Sequence, residues 1–397
     1  MDSARLGARL PDAAACEQTG VDSTALARLG EAVQDDIRAG RIYGAAFAVA
    51  RQGRVLYRAA LGQAAPGRAA ALDDIYLLMS LSKSFTAVLV LQAVALRRFS
   101  LDDKVADLWP AFACHGKQDI RVSQLLTHTA GMPAGLMPPV PLRPEQSGDL
   151  RQFAAALAAL PPACPPGGQV LYSPTAAYAV LGYLLVLTDP AGRSFREIAR
   201  QQLFAPLGMR HTAFGMALSV PQRVPMSYTP AMSAAEGEAV AALLNRMLDD
   251  TAELPAGGAL GTLDDVLRFA EALRRDGAAN GVRLLPPGVV REASRSQTGM
   301  APNLGWETYR QQHGLAETPA HYSLLGGQAR GQGRHLSAAG QLASAEAFYA
   351  VGRGSTMWMV DPQRELSFVF LSAGVIEGLA HIERLSRLSD RVLAACA

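Results

Sequence analysis

The sequence predicts an α/β (α+β) fold in which one sheet is built from both ends of the chain. Segments typical of strands lie near residues 44–58 and 356–371, whereas helical periodicity dominates the middle. We therefore predict a tail at 1–20, an α/β sheet domain formed by 21–80 plus 340–397, and a mostly helical domain at 81–339. A functional site would lie at the seam between the two domains, where ligand sites tend to form.

Composition limits the class of protein. The 397 residues include 49% hydrophobic and 18% charged residues, as in a globular protein with ample core. A net charge of +2 without a long basic run gives no reason to expect a nucleic-acid partner. The four cysteines lack disulfide or metal-ligand spacing. The chain has no apolar leader after its first residues and no run long enough to span a bilayer, so we expect a cytoplasmic protein with no membrane partner.

The elements at the two ends of the chain would form and cover the sheet. A helix entered from Asp22 or Ser23 has one apolar face, made by Leu26, Leu29, Val33 and Ile37. A β-hairpin with strands at 44–50 and 54–58 follows. Strands at 356–360 and 366–371 precede a final helix, whose apolar face carries Leu379, Ile382, Leu385, Leu388 and Val392.

The middle of the chain predicts a series of helices, at 122–131, 149–160, 175–187, 194–204 and 262–277. Five prolines between 132 and 148 predict a long loop, which would be either a lid over a site or a surface excursion. The stretch 311–345 is rich in small and polar residues and supports no assignment.

The segment Ser80-Leu81-Ser82-Lys83 opens the most apolar helix of the chain. A serine and a lysine three residues apart on one helix face lie one turn apart, so the amine could activate the hydroxyl. Only Lys83, Lys104 and Lys117 are lysines among the 37 basic residues. Because a desolvated lysine can lose its proton and an arginine cannot, a lysine at this position favours catalysis. In the alternative interpretation, Ser80 caps a buried helix and Lys83 is solvated.

Tyr172 is the best candidate for a second proton-handling group. It follows the glycine turn Gly167-Gly168 and stands just before a predicted helix, so its hydroxyl could face a cleft. The alternative is a packed tyrosine whose hydroxyl bonds to the backbone. The seven histidines show no ligand spacing, and His128 is interpreted as a structural residue that caps a turn.

Several segments occur in the order found in β-lactamase-like serine hydrolases, and the sequence resembles that superfamily. It includes class C β-lactamases, D-alanyl-D-alanine peptidases, family VIII carboxylesterases and statin side-chain acyltransferases. The resemblance covers residues 22–275 well and 276–397 loosely. It is carried by the opening hairpin and by Met79–Thr86, Phe99–Val105, Gln124–Met132, Tyr172-Ser173, Pro206–Met209 and Ala256–Thr262.

The resemblance implies a β-lactamase/transpeptidase-like fold, with an antiparallel sheet from both chain ends flanked by helices. It also implies roles for individual residues: Ser80 as the acylated nucleophile, Lys83 as its partner, and Tyr172 as general base and acid. The backbone N–H of Ser80 would form half of an oxyanion hole. The other half, with substrate contacts, would come from the strand residues Gly352, Arg353, Gly354 and Ser355. No cofactor and no metal are implied.

Two departures from the family pattern bear on the substrate. The Tyr-x-Asn motif appears as Tyr172-Ser173-Pro174, which lacks the amide that contacts substrate and lysine in the family. The Lys-Thr-Gly or His-x-Gly element appears as Ala350-Val351-Gly352, without its basic side chain, which Arg353 could partly replace. In β-lactamases and peptidases that element helps to hold a substrate carboxylate. Its loss favours a neutral ester or thioester.

We therefore expect serine-dependent acyl transfer on a small-molecule ester or thioester, either hydrolysis of a small or medium carboxylic ester or transfer to another acceptor. Two alternatives remain open at this point. One is a β-lactamase or D-amino-acid peptidase, and the other is a non-catalytic binding relative whose cleft has diverged. The missing G-x-S-x-G, H-E-x-x-H and P-loop motifs exclude three other enzyme classes.

Overall fold

The computed structural model describes residues 10–396, without the side chains of Glu145 and Thr308. The strands are β1 Gly44–Arg51, β2 Arg54–Ala65, β3 Arg68–Ala69, β4 Ile75–Leu77, β5 Ala213–Phe214, β6 Ala259–Thr262, β7 Ala278–Ala279, β8 Val282–Arg283, β9 Gln328–Ala329, β10 Phe348–Gly352, β11 Thr356–Asp361 and β12 Leu366–Ala373. The helices are α1 Ala13–Gln18, α2 Ser23–Arg38, α3 Ser82–Ala95, α4 Val105–Leu108, α5 Val122–Leu126, α6 Leu150–Ala158, α7 Ala176–Leu187, α8 Phe195–Ala199, α9 Ala205–Leu207, α10 Ala235–Met247, α11 Leu263–Arg274, α12 Val289–Ala293, α13 Leu304–Gln312 and α14 Gly378–Ala394.

The main sheet joins the two ends of the chain. Its strand order is β3-β2-β1-β12-β11-β10-β9, and every neighbouring pair is antiparallel. Strand β12 pairs with β1 over eight residue pairs, from Gly44↔Ala373 to Arg51↔Leu366. Because the N-terminal hairpin and the C-terminal strands share this ladder, the predicted α+β fold with a sheet from both chain ends is confirmed.

Both faces of this sheet are buried, which explains why its central strands lack polar alternation. On one face, Phe47 and Phe368 pack in the cluster that α2 and α14 complete. On the other face, Trp358 and Val369 pack towards α11 and the helical region. A strand covered on both sides needs apolar residues at consecutive positions, and β12, which is buried at every position, has them from Phe368 to Leu371.

The helical region is organised around two helices that are apolar on all sides. Helix α3 buries Phe85 and its neighbours completely, and α7 is buried along most of its length. Helices of this kind belong in the centre of a domain rather than at its surface. A second, small antiparallel sheet, β4-β6-β5, lies at the junction of the helical region and the main sheet. Its strand β4 shortly precedes α3 in the chain.

The structure corrects three predictions in the N-terminal half and at the domain boundary. Residues 1–20 are not a tail throughout, because Ala13–Gln18 form α1, capped by Asp12, with Cys16 buried; residues 1–9 lie outside the described part. The helix predicted at 122–131 ends at Leu126, because His128 takes a left-handed backbone conformation. The sheet begins before residue 340, since β9 lies within the region predicted as helical. Strand β9 has two residues and helix α1 has six, and elements this short show no hydrophobic period in the sequence.

Helices α10 and α13 were also absent from the prediction. In α10 the buried positions include Gly237 and Ala241, whose small side chains weaken the apolar pattern. Within residues 10–396, no helix combines the length and the apolar character needed to cross a membrane.

A buried carboxylate links the two outer helices, and its removal should destabilise the fold. Asp36 on α2 is fully buried and pairs with Arg41 and with Arg387 of α14, the latter at 2.8 Å. We expect Asp36→Ala to lower the free energy of unfolding by about 2–3 kcal/mol, because two guanidinium groups lose a buried partner. Urea denaturation measures the change. The neighbouring pair Asp35–Arg38 is exposed, so Asp35→Ala should change the value by less than about 0.5 kcal/mol. Equal effects of the two substitutions would contradict this account.

Candidate active site

Ser80 lies in a short 3₁₀ turn, Met79–Leu81, between β4 and α3. The turn is held from two sides: the N–H of Leu78 donates to the carbonyl of Ala259 at 2.9 Å, and the Thr356 hydroxyl donates to the carbonyl of Leu78 at 3.1 Å. Met79 has a φ of 50°, a conformation that costs a non-glycine residue about 1 kcal/mol. Contacts from both sheets thus fix the backbone on which Ser80 is presented.

Three side chains predicted from the sequence meet at this point. The Ser80 Oγ lies 2.8 Å from the Tyr172 hydroxyl and 3.1 Å from the Lys83 Nζ. Lys83 is 1% exposed, and its Nζ also donates to the carbonyl of Pro174 at 2.7 Å and to that of Ala256 at 2.9 Å. The alternative interpretation, in which Lys83 is solvated, is therefore wrong.

The surroundings of Lys83 suit a proton-transfer role. Burial lowers the pKa of its amine, and the interactions with Tyr172 oppose this effect only in part. The two carbonyls can only accept, so they take two N–H groups in either protonation state. The remaining position on Nζ faces Ser80. It holds a third N–H in the ammonium and a lone pair in the neutral amine, which could receive the Ser80 proton.

Helix α3 is anchored so that Lys83 keeps this position. The Ser82 hydroxyl accepts the N–H of Ala259 at 2.9 Å, and the Thr86 hydroxyl donates to the carbonyl of Pro255 at 2.8 Å. The backbone of Gly326 packs directly against the backbone of Lys83. Gly326 has a φ of 72°, and a Cβ at this position would collide with the Lys83 backbone. Rotation or translation of the helix would therefore break the hydrogen bonds to residues 255–259 or bring its backbone into collision with Gly326.

Tyr172 is positioned by its neighbours rather than by a helix. Its N–H donates to the side-chain oxygen of Asn303 at 3.1 Å, and the N–H of Ser173 donates to the Nδ1 of His128 at 3.2 Å. Its ring stacks on that of Tyr322 and packs against that of His128. Burial, assisted by the charge of Lys83, holds the pKa of His128 well below 6.5. His128 is therefore an uncharged acceptor and has the structural role that the sequence predicted.

The site opens into a cavity of about 680 Å³ whose wall is mostly apolar. The long loop at 132–148 contributes Leu136 and Met137 to this wall, so it is more than a surface excursion. Other apolar lining residues come from several elements: Met79, Phe153, Leu244, Met247, Leu248, Leu254, Trp306, Val351, Ile376 and Ile382. A cavity of this size and character suits a small or medium apolar ligand.

The predicted oxyanion residues lie beside Ser80 but differ in what they offer, and only Gly352 is in a strand, because β10 ends there and residues 353–355 form a turn. Gly352 and Gly354 place their backbone against residues 77–79, where no side chain would fit at Gly352. Arg353 lines the cavity. Ser355 does not line it: its hydroxyl is buried between His381, whose Nδ1 lies 3.0 Å away, and Arg384. Its φ of 63° turns the side chain into the protein, so a substrate contact by this hydroxyl is not what the structure shows.

Both departures from the family pattern have a structural counterpart. Pro174 has no amide side chain, but its backbone carbonyl supplies the contact to Lys83. Ala350, at the position where the sequence resemblance implies a basic residue, lines the cavity with a methyl group. The nearby Arg353 does not replace it freely, because its Nε donates to Glu377 at 2.6 Å.

Sequence reasoning missed several residues of the site. The Ala256 carbonyl lies in a segment that carried the family resemblance, so the sequence offered an indication that it lies near Ser80. For Asn303, Tyr322 and Glu377 the sequence offered no such indication, because each lies more than 100 residues from Ser80 in the chain. Their contribution depends on the tertiary fold alone.

Comparison with known protein families gives one match over most of the chain. The family model described as "Beta-lactamase" matches residues 26–388. The match therefore includes Ser80, Lys83, Tyr172 and residues 352–355.

Individual relatives include enzymes with different names. The chain is 30% identical over 322 residues to esterase EstB of Burkholderia gladioli, covering 72% of this chain and 79% of that protein. It is 33% identical over 225 residues to penicillin-binding protein 4 of Amycolatopsis lactamdurans, covering 55% of this chain and 56% of that protein. Its structure resembles that of EstCE1, a hydrolase with promiscuous acyltransferase activity, with a TM-score of 0.74, 24% identity and coverage of 93% and 99%.

The burial of His128 makes the stability of the fold depend on pH. Its pKa in the folded chain lies well below 6.5, so as the pH falls through about 6.5 the unfolded chain takes up a proton that the folded chain does not. The contribution of the uncharged His128 to the free energy of unfolding is therefore fully present above about pH 6.5 and is progressively lost below it. Asparagine keeps an acceptor, tolerates the left-handed backbone and does not titrate. We expect the loss of stability between pH 7 and pH 5 to be smaller in His128→Asn by up to about 2 kcal/mol.

Chemical denaturation at the two pH values measures this difference. His115 is exposed and has a similar φ of 53°, so His115→Asn is the matched control and should change the pH dependence much less. The same pH dependence in His128→Asn and wild type would show that His128 is not held uncharged in the folded state.

Proposed function

The chain belongs to the β-lactamase family, and we propose that it catalyses serine-dependent acyl transfer through an acyl-enzyme on Ser80, acting on a small or medium neutral carboxylic ester. One observation carries this proposal: the Ser80 Oγ lies within hydrogen-bonding distance of both the Lys83 Nζ and the Tyr172 hydroxyl. A serine hydroxyl becomes a competent nucleophile when a positioned base can take its proton. Here two such groups converge on it at the wall of an apolar cavity.

In the first half-reaction, the Ser80 Oγ attacks the carbonyl carbon of the ester and its proton moves to the oxygen of Tyr172. As Tyr172 receives the Ser80 proton, it passes its own proton to the neutral Lys83 amine, so the pair gains one proton in this step. The bond to the alcohol oxygen then breaks, and the proton passes from Tyr172 to that oxygen. The products are the Ser80 ester and the free alcohol.

The developing oxyanion needs donors on the opposite side of the carbonyl from this proton path. We assign one donor to the N–H of Ser80 and the other to the segment Gly352-Arg353, where β10 ends. Support comes from the close approach of this strand to residues 77–79, which only a glycine at position 352 permits.

In the second half-reaction, water or an alcohol gives its proton to Tyr172, attacks the acyl carbon and releases Ser80, which recovers its proton. Hydrolysis and transfer therefore use the same groups and differ only in the acceptor. The similarity to esterase EstB supports hydrolysis, and the similarity in fold to EstCE1, a hydrolase with acyltransferase activity, supports the possibility of transfer.

The wall of the cavity supports a neutral substrate. Its lining is mostly apolar, the family's basic side chain is replaced by Ala350, and the charge of Arg353 is matched by that of Glu377. A thioester fits the same description, since its carbonyl reacts by the same two steps.

A β-lactamase or peptidase is the second candidate, and the similarity to penicillin-binding protein 4 favours it. Turnover of the chromogenic cephalosporin nitrocefin separates the two. A kcat/KM for nitrocefin well above that for p-nitrophenyl butyrate would replace the ester proposal with this one.

Removal of the nucleophile should abolish turnover. We expect Ser80→Ala to lower kcat/KM for p-nitrophenyl butyrate by at least about 10³-fold, because no other hydroxyl is bonded to both Lys83 and Tyr172 in residues 10–396. A fluorophosphonate should add one adduct to wild type and none to the variant, as read by intact mass.

Ser84→Ala is the matched control for this experiment. Ser84 lies on the same helix, is fully buried, and has no hydrogen-bond partner for its hydroxyl among the described residues. Its replacement should leave turnover within a few-fold of wild type. An active Ser80→Ala variant would contradict the role of Ser80 as nucleophile, and a wild type that neither turns over esters nor forms an adduct would favour the non-catalytic alternative.

The pH dependence should follow the desolvated amine. Because burial lowers the pKa of Lys83 below its ordinary 10.5, the Lys83–Tyr172 pair should reach its active, once-deprotonated state at a pH below that value. We expect kcat/KM to rise with pH and to level off before pH 10.5.

Lys83→Arg keeps the charge but cannot act as a base, so it should lose about 10²- to 10³-fold in kcat/KM. Lys104→Arg, at an exposed ion pair, should behave as wild type. An active Lys83→Arg enzyme would assign the base role to Tyr172 alone.

A further inference from the structure

An ion pair lies in the wall of the cavity. The Nε of Arg353 donates to the Oε1 of Glu377 at 2.6 Å, and both residues line the same cavity as Ser80. Arg353 follows the last residue of β10, and Glu377 immediately precedes α14. The two charges are thus brought together by the tertiary fold beside the predicted oxyanion strand.

Glu377 is held in this position by a second donor. The Tyr228 hydroxyl donates to its Oε1 at 2.6 Å, and the backbone carbonyl of Tyr228 in turn accepts the hydroxyl of Tyr43 at 3.1 Å. Burial opposes ionisation of Glu377, but the hydrogen bonds from Arg353 and Tyr228 outweigh it, so the pKa of its carboxyl lies below the usual value. Glu377 is therefore a fixed negative charge at neutral pH.

The other basic groups near the cavity do not compensate for this carboxylate. The Nζ of Lys83 is committed to Ser80 and two carbonyls. His381 also lines the cavity, but burial lowers its pKa to about 3, so it is uncharged. Among the described lining residues, Arg353 is thus the cation best placed to attract an anionic substrate, and Glu377 already neutralises it.

We propose that Glu377 is a specificity-determining residue: by pairing with Arg353 and neutralising its charge, it makes the site reject carboxylate-bearing substrates. This inference rests on the proposed ester chemistry and adds its charge selectivity. A substrate carboxylate that approached Arg353 would also approach the Glu377 carboxylate, so repulsion would offset the attraction while the cost of desolvation remained. An uncharged substrate is not repelled by Glu377 and has no carboxylate to desolvate.

The proposal predicts that Arg353 becomes available when Glu377 loses its charge. Glutamine is isosteric and keeps an acceptor for Tyr228. The side chains of Glu377 and Arg353 are 40% and 36% exposed, so solvent screening limits the effect to a modest factor and Glu377→Gln is compatible with folding.

Two matched substrate pairs test the prediction. In one pair the carboxylate is on the acyl side, with mono-p-nitrophenyl adipate against p-nitrophenyl hexanoate. In the other it is on the alcohol side, with 4-acetoxybenzoate against 4-acetoxybenzamide. We expect Glu377→Gln to raise the ratio of kcat/KM, anionic over neutral, by about three- to tenfold in at least one pair.

Two further variants assign the effect. The double variant Glu377→Gln/Arg353→Ala should lose the gain, because the cation that causes it is gone. Glu383→Gln removes the same charge from an exposed position on α14 and should leave both ratios at the wild-type value. Unchanged ratios in Glu377→Gln, or a gain that survives in the double variant, would overturn the proposal.

A binding measurement separates this proposal from the proposed function. Calorimetry with hexanoate and hexanamide reports charge selectivity without any turnover. The affinity for hexanoate relative to hexanamide should rise about three- to tenfold in Glu377→Gln and return to the wild-type ratio in the double variant. An enzyme that hydrolyses no ester but shows this change contradicts the ester proposal and supports the role of Glu377. An active esterase without the change contradicts the role of Glu377 alone.

Discussion

The buried amine of Lys83 is the constraint on which the rest of the site depends. An ammonium that leaves water without partners costs several kcal/mol, so its three hydrogen bonds are required for the fold as well as for chemistry. Two of the acceptors are backbone carbonyls, of Pro174 and Ala256, which lie 91 and 173 residues away in the chain. Three distant segments must therefore meet at one nitrogen atom, and Ser80 occupies its remaining position.

The architecture explains how these segments meet. Strand β6 pairs with β4 directly before the Ser80 turn and brings the Ala256 segment with it. The loop at Gly326 closes over the start of α3, and the strands β10 and β11 support the turn from the main sheet. Ser80 thus lies where the helical region joins the sheet, and movement of any one element would disturb the geometry around Lys83.

In the function proposed above, reactivity and substrate recognition reside in different parts of the site. Ser80, Lys83 and Tyr172 form a compact group, whereas the charges on the cavity wall are set by residues such as Arg353 and Glu377. A β-lactam or peptide substrate brings a carboxylate that needs an unpaired cation, and an ester does not. We therefore propose that the charges on the wall, rather than Ser80, Lys83 and Tyr172, select the class of substrate.

The sequence by itself determined the sheet from both chain ends, the buried helix α3 and the grouping of Ser80, Lys83 and Tyr172, because these depend on local periodicity and on a motif with its companions in order. It could not determine α1 or β9, which are too short to show a period, nor the partners of Lys83, which are backbone atoms with no side-chain signature. Only the tertiary structure decided that the Ser355 hydroxyl faces His381 and that Glu377 forms an ion pair with Arg353. Both outcomes depend on how α14 packs beside the end of β10, and a contact between distant segments leaves no pattern in either one alone.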